Sequence, residues 1–191
     1  MNLANKLTLM RVVLVPVFVV FMMCGGIPLN YFWALAVFGI ASLTDLVDGK
    51  VARKYNMITD FGKFLDPLAD KILVAAALVC MVELKWTYSW VVVIILLREF
   101  AVSGVRLVAA GSDKKVVIAA GWLGKVKTAV TMIAIAVILA LHVLVDNLAL
   151  IPCGDYVWII SDVLMIASAA LTLWSGVQYM YDYREFIDPK K

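Results

Sequence analysis

Four aspartates in the first half of the chain have a residue type and a spacing that suit metal-assisted chemistry. Asp45 and Asp48 are three positions apart and Asp66 and Asp70 are four apart, so on helices each pair projects from one face. Carboxylates that converge in an apolar setting repel one another unless a cation compensates them. Mg²⁺ and Mn²⁺ prefer oxygen ligands and commonly neutralise substrate phosphates at the same time. The aspartates therefore predict a divalent-metal site for phosphate chemistry.

The composition indicates the setting in which these carboxylates lie. Of the 191 residues, 64% are hydrophobic and only 16% are charged. The mean hydropathy of +0.98 is typical of an integral membrane protein. A helix needs roughly 20 apolar residues to span the hydrocarbon core, so we predict an all-α, polytopic membrane protein with one domain over residues 1–191. Six transmembrane helices are expected, near residues 5–25, 31–54, 60–84, 87–110, 119–145 and 155–183.

The distribution of basic residues predicts how these helices are oriented. With a cytoplasmic N-terminus, the outer connections would lie near residues 25–30, 84–88 and 146–155. Those connections hold one of the chain's 17 Lys and Arg residues, Lys85. Basic residues concentrate on the cytoplasmic side of membrane proteins. Both termini and the site are therefore predicted to face the cytoplasm from the cell membrane.

The aspartates belong to a longer pattern. Residues 45–70 read D-x-x-D-G-x-x-A-R, then eight residues, then G-x-x-x-D-x-x-x-D. This window resembles the signature of the CDP-alcohol phosphatidyltransferase family at every fixed position and at the family's spacing. The resemblance implies a six-helix membrane enzyme that transfers a phosphatidyl group from CDP-diacylglycerol to an alcohol and releases CMP. It also implies a homodimer in contact with membrane lipid, and no nucleic acid is expected among the partners.

The resemblance further implies roles for individual residues. Two divalent ions, Mg²⁺ or Mn²⁺, would be held by Asp45, Asp48, Asp66 and Asp70. Asp70 is also the candidate base that takes the proton from the attacking hydroxyl. The CDP-lipid would contact Asn5, Thr8, Gly49, Ala52, Arg53 and Gly62. Glycine lets a nucleotide approach a helix backbone closely, whereas Asn5 and Thr8 are equally consistent with ordinary polar groups at a helix N-terminus.

Cations later in the chain bear on the choice of acceptor. Arg98 and Arg106 are eight residues apart, so they share a helix face about 12 Å apart along the axis. With Lys125 and Lys127 on the next helix, they predict a pocket for a second phosphate, which an uncharged acceptor would not need. The alternative is that these cations orient the helices in the membrane by the positive-inside rule and form ion pairs with Glu99 or the aspartates. The strings around them resemble the family branch whose acceptor is glycerol 3-phosphate.

Two other functions compete with this interpretation. One is another branch of the family, such as a cardiolipin synthase or a phosphatidylinositol phosphate synthase, which differs in the acceptor used. The other is a cation-coupled or proton-coupled transporter, because acids in membrane helices also mark ion pathways. A transporter would be expected to place its acids near the midplane of the membrane. Clustering of the aspartates at one interface beside glycines and arginines favours the enzyme.

Overall fold

The computed structural model describes the backbone of residues 3–55, 60–111, 121–149 and 154–184 and the side chains of 9–44, 71–106, 121–149 and 156–184. Within these ranges the chain is helical and contains no strand, which confirms the predicted all-α class. The elements are α1 (Leu3–Met23), α2 (Asn30–Tyr55), α3 (Asp60–Glu83), α4 (Ser89–Gly111), α5 (Trp122–His142), a π-helical segment (Val143–Asn147) and α6 (Gly154–Asp182). Each of the six predicted segments coincides with one α-helix.

The connection from α1 to α2 shows how the sequence ends one helix and starts the next. Gly25, Gly26 and Pro28 all lie between the two helices, and both residue types are unfavourable in a helix interior. Leu29 then adopts a left-handed backbone conformation, with φ at 56°, immediately before α2 begins. The chain therefore reverses direction in a short turn, without charged residues, between two long apolar helices.

The described chain forms two compact units. The first comprises Met1–Leu84 with Ile135–Trp158, and the second comprises Lys85–Ala134 with Ile159–Lys191. The first unit therefore holds α1, α2 and α3 together with the end of α5 and the start of α6. The second holds α4, the start of α5 and most of α6.

Apolar packing positions the helices of the first unit. There α1 contacts both α2 and α3. Phe18 of α1 and Phe38 of α2 are buried, with ring centroids 6.0 Å apart. Leu78 and Met81 of α3 are also fully buried. This packing holds in place the two helices that carry the four aspartate positions.

The N-terminus of α2 is held by a side chain from the π-helical segment. The Oδ1 atom of Asn147 accepts hydrogen bonds from the backbone N–H groups of Tyr31, at 3.0 Å, and Phe32, at 3.3 Å. Its Nδ2 group donates to Oδ1 of Asn30 at 2.9 Å. The first N–H groups of a helix have no partner within the helix. Asn147 therefore caps α2 from 115 or more positions away along the chain.

Buried hydroxyl groups join the helices of the second unit. Oγ1 of Thr131 in α5 lies 2.6 Å from Oγ of Ser168 in α6, and both side chains are buried. Thr172, one turn further along α6, is fully buried and donates to the carbonyl oxygen of Ser168 at 2.7 Å. Hydrogen bonds between small polar side chains are a common means of joining helices in membranes, where water cannot compete.

Two helical stretches are long and apolar enough to cross a membrane, within the part of the chain whose side chains are described. They are Trp122–Asn147 and Tyr156–Asp182. Large apolar side chains on them face outward, among them Trp122 (77% exposed), Trp174 (68%) and Val177 (69%). Apolar surface of this kind is rarely left to water and suits contact with lipid. The helical fold and these two apolar stretches indicate a membrane protein.

Candidate active site

The predicted metal-binding aspartates fall on the backbones of two neighbouring helices. Positions 45 and 48 belong to α2, and positions 66 and 70 belong to α3. The helical spacing on which the prediction relied is therefore confirmed. The carboxylates of Asp45, Asp48, Asp66 and Asp70 lie outside the described side chains, so their role as ligands stays a prediction. Four carboxylates form a donor set of hard oxygen atoms, which fits Mg²⁺ or Mn²⁺.

The residues predicted to contact the CDP-lipid also lie on helices. Positions 5 and 8 belong to α1, positions 49, 52 and 53 to α2, and position 62 to α3. The side chains at these positions lie outside the part that the structure describes. The contacts predicted for Asn5, Thr8, Gly49, Ala52, Arg53 and Gly62 therefore stay predictions.

A small cleft lies in the second unit. Its volume is about 160 Å³, below the roughly 300–1,000 Å³ of pockets that hold drug-sized ligands. The cleft therefore suits a small molecule. Its walls come from α4, from α5 with the residue before it, and from α6. They are formed by Arg98, Arg106, Gly121, Trp122, Leu123, Gly124, Ser175, Gln178, Tyr179 and Asp182.

Arg98 lines this cleft although its side chain is only 8% exposed. Its Nη2 group donates to Oγ of Ser175 at 2.7 Å. Its Nη1 atom lies 3.7 Å from Oε1 of Glu99, and its Nε group is buried with no hydrogen-bond partner among the described residues. A buried donor that lacks an acceptor is unfavourable, more so when it is charged. This Nε group is closed off from solvent and faces Gly176, whose Cβ atom, if it were present, would lie 3.9 Å away.

The backbone of α6 passes unusually close to Arg98. A Cβ atom built on Gly176 would lie 2.8 Å from Cγ of Arg98 and 3.8 Å from its Cβ. The first distance is shorter than side-chain atoms tolerate, and Cγ belongs to the stem of the arginine rather than to its mobile end. A Cβ built on Gly124, by contrast, would meet Nη2 at 3.7 Å, an ordinary contact. Gly176 is therefore the position where α6 must carry no side chain.

Arg106 lines the same cleft and is held by Tyr179. Its Nε group donates to the phenolic oxygen of Tyr179 at 3.3 Å, and its Cζ atom lies 5.6 Å from the centre of that ring. Tyr179 is buried against Val102 and Val105 of α4 and packs on Tyr183, with ring centroids 4.7 Å apart. The structure thus brings together the two arginines whose eight-residue spacing predicted a shared face.

The two lysines of the predicted phosphate pocket lie differently. Lys127 is buried and forms an ion pair with Glu99, as the alternative interpretation of the cations had allowed. Lys125 is exposed, and neither lysine is among the residues that line the cleft. Two positions along a helix correspond to a rotation of about 200°, so the two lysines point in nearly opposite directions. Their role in phosphate binding stays a prediction.

The sequence analysis did not identify the residues of α6 that contact the arginines. These are Ser175, Gly176 and Tyr179. A signal for them exists, because Ser161, Ser168 and Ser175 recur every seven residues in a largely apolar helix, and all three are buried. A repeat of seven keeps residues on one helix face. A polar stripe of this kind predicts a buried polar interface.

Comparison with known proteins extends over most of the chain. A profile of the CDP-alcohol phosphatidyltransferase family matches residues 1–174. A Bacillus subtilis protein named CDP-diacylglycerol–glycerol-3-phosphate 3-phosphatidyltransferase is 46% identical over 165 residues, covering 81% of this chain and 84% of that protein. An Escherichia coli protein of the same name is 36% identical over 187 residues, covering 94% and 93%. A Mycobacterium tuberculosis protein named probable phosphatidylglycerophosphate synthase is 39% identical over 181 residues, covering 94% and 80%.

The ion pair between Lys127 and Glu99 generates a prediction about stability. We expect Lys127→Met to destabilise the protein by about 1–3 kcal/mol, between the values for exposed and fully buried pairs. Combining it with Glu99→Gln should recover much of the loss, because the carboxylate is then no longer left without Lys127. The measurement is the thermal midpoint of the purified protein in detergent. Lys125→Met, which neutralises an exposed lysine two positions away, is the control. A double variant no more stable than Lys127→Met would contradict a structural role for the pair.

Proposed function

Because the chain belongs to the CDP-alcohol phosphatidyltransferase family, we propose that it transfers the phosphatidyl group of CDP-diacylglycerol to glycerol 3-phosphate. The products are phosphatidylglycerophosphate and CMP. The names of the relatives that are 36–46% identical support this reaction. The structural observation that carries the choice of acceptor is the pair of arginines, Arg98 and Arg106, that line one small cleft. A phosphate-bearing alcohol matches both the charge and the size of this cleft.

The proposed setting is the cell membrane, with six transmembrane helices and both termini in the cytoplasm. The coincidence of six apolar segments with six helices supports this arrangement. So does the near absence of basic residues from the predicted outer connections, where Lys85 stands alone. The active site then faces the cytoplasm, where both a water-soluble polyol phosphate and the head group of a CDP-lipid are accessible. The homodimer implied by the family resemblance is part of the proposal.

The donor is proposed to bind at the aspartates of α2 and α3. Asp45, Asp48, Asp66 and Asp70 would hold two divalent ions, Mg²⁺ or Mn²⁺, which would supply positive charge to the donor's phosphates and the departing CMP. Positions 49 and 62 carry no side chain and leave room for the nucleotide. Ala52 is small for the same reason, and Arg53 would pair with a phosphate. Asn5 and Thr8, near the start of α1, complete the proposed donor site.

The chemical step is a displacement at the β-phosphorus of the CDP-lipid. The hydroxyl oxygen of the acceptor forms a bond to this phosphorus, and the bond from phosphorus to the CMP oxygen breaks. Asp70 is the proposed base that accepts the hydroxyl proton during the attack. Arg98 and Arg106 hold the acceptor by its phosphate through charge-assisted hydrogen bonds, which orients the hydroxyl. Lys125 and Lys127 are the other two cations proposed to favour a phosphorylated acceptor.

Metal dependence is the first test of this mechanism. We expect EDTA to abolish release of CMP, and Mg²⁺ or Mn²⁺ to restore it, because the four carboxylates offer only hard oxygen ligands. The assay follows CMP release by the purified enzyme with both substrates present. Zinc-specific chelation, which leaves Mg²⁺ bound, is the control and should have no effect. Full activity after thorough removal of divalent ions would contradict the two-metal account.

The role of Asp70 can be separated from that of the other aspartates. Asp70→Asn should lower turnover by roughly 10²–10⁴-fold, the usual contribution of a general base, with much of the affinity for CDP-diacylglycerol retained. Asp45→Asn should weaken both metal binding and turnover, because an amide coordinates a hard cation poorly. The comparison uses steady-state kinetics together with titration of the metal. Near-normal turnover in Asp70→Asn would exclude that residue as the base.

The acceptor site is tested by neutralising its cations. Arg98→Gln and Arg106→Gln should each reduce kcat/KM for glycerol 3-phosphate by about 10–150-fold, the value of one charge-assisted hydrogen bond. The KM for CDP-diacylglycerol should change much less. Lys125→Gln should have a smaller effect because its charge is solvated, and Lys85→Gln, in the turn after α3, is the control.

Labelled glycerol 3-phosphate, phosphatidylglycerol and inositol phosphate, offered in turn, distinguish this reaction from those of the other branches. Preference for phosphatidylglycerol or inositol phosphate would contradict the proposed acceptor. An arginine series that changes only the KM for CDP-diacylglycerol would assign the two arginines to the donor instead.

A further inference from the structure

We propose that Ser175, Gly176 and Tyr179 of α6 are positioning residues that hold Arg98 and Arg106 in the geometry needed to bind a phosphate monoester. Through the arginines, these three residues would set the preference for a phosphorylated acceptor. This inference rests on the proposed function. The three positions lie just beyond the segment that matches the family profile, which ends at residue 174.

Arg98 is constrained by two consecutive residues of α6. Ser175 accepts a hydrogen bond from Nη2 at 2.7 Å, which fixes the end of the side chain. Gly176 allows the stem to pass within 2.8 Å of where a Cβ atom would lie, which fixes its path. Long arginine side chains otherwise have many rotamers, and ordering them on binding reduces affinity. An arginine that is already ordered binds its ligand without that loss.

The contacts of Arg98 leave part of its guanidinium available to a ligand. An arginine has five N–H donors in a planar fork. Nη2 donates one of them to Ser175, and Nη1 lies 3.7 Å from Oε1 of Glu99. The Nε group is buried and has no hydrogen-bond partner among the described residues, so the Nη groups are the ones that an anion could bind. The hydroxyl of Ser175 is also neutral, so it orients the guanidinium without cancelling its charge. The neutral hydroxyl leaves the charge of Arg98 to Glu99 and to an anion in the cleft.

Arg106 is constrained by one residue of α6. The hydroxyl of Tyr179 accepts from Nε at 3.3 Å, and the ring lies under the guanidinium carbon at 5.6 Å. Tyr179 is itself only 7% exposed and packs against Val102 and Val105, so it is a rigid partner. Because Tyr179 takes the Nε group, the two Nη groups are the donors with which Arg106 would bind a ligand in the cleft. One turn of α6, from Ser175 to Tyr179, thus holds both arginines in place.

The test is a kinetic series in the full-length enzyme. Ser175→Ala, Gly176→Ala and Tyr179→Phe should each raise the KM for glycerol 3-phosphate by about 5–20-fold, the effect of weakening one hydrogen bond to a charged group. The KM for CDP-diacylglycerol should stay within about twofold, as expected of changes that do not reach the donor. Ser175→Thr keeps the hydroxyl and should restore most of the affinity for the acceptor.

Two matched controls separate positioning from general damage to α6 or to the second unit. Ser168→Ala removes a buried hydroxyl of α6 that bonds Thr131 rather than an arginine. Gly104→Ala adds a methyl group to a helical glycine with nothing within 4 Å of the new atom. Both should leave the KM for glycerol 3-phosphate unchanged. Thermal midpoints report folding, and if Gly176→Ala does not fold, Ser175→Ala and Tyr179→Phe decide the matter.

A double variant shows whether Ser175 acts through Arg98. In the Arg98→Gln background, Ser175→Ala should cause no further rise in the KM for glycerol 3-phosphate, because the group that it orients is gone. Additive effects would overturn the inference. So would a rise in this KM for Arg98→Gln without any rise for the three α6 variants, and the proposed function would then stand. An unchanged KM in Arg98→Gln itself would instead overturn the acceptor site of the proposed function.

Discussion

Burial of the Arg98 guanidinium is the constraint on which the second unit depends. A charged side chain inside an apolar helical assembly is unfavourable unless its N–H groups find acceptors. Here the chain provides Ser175 as an acceptor and removes the side chain at position 176, so that the stem fits against α6. Each of these features would be unnecessary without the arginine. The cleft is therefore organised around one buried charge, which is held by Ser175 and lies beside Glu99.

The buried and half-buried cations of the second unit have two kinds of partner. Lys127 pairs with the carboxylate of Glu99, so its charge is balanced within the protein. The closest hydrogen-bond partners of Arg98 and Arg106 are the neutral hydroxyl groups of Ser175 and Tyr179, and Glu99 lies farther from Arg98, at 3.7 Å. A neutral acceptor satisfies hydrogen-bonding requirements but leaves the electrostatic attraction of the cation intact. This difference explains why the arginines suit anion binding better than the buried lysine, although all three are cationic and largely buried or half-buried.

The long-range contacts mark the limit of what could be predicted from sequence. The six helices were predictable because runs of about 20 apolar residues are a strong signal. The placement of the aspartate positions on α2 and α3, and of Arg98 and Arg106 along one cleft, followed from helical periodicity. The partners of those arginines lie 77 and 73 positions away, and no local spacing specifies such pairs. Serine, glycine and tyrosine in an apolar helix also resemble ordinary membrane packing, so only the recurrence of buried serines hinted at their role.

The cap at the N-terminus of α2 sets the position of the residues at the other end of that helix. Asn147 holds the backbone at Tyr31 and Phe32, and Asp45 lies 15 residues after Asn30, about 22 Å along the axis. Inserting or deleting a single residue between them would leave the cap intact but turn Asp45 and Asp48 by about 100° and shift them by about 1.5 Å. The length of this segment is therefore constrained even where its individual side chains face lipid. The exposed Ile40, for example, can be exchanged for a leucine more readily than it can be lost.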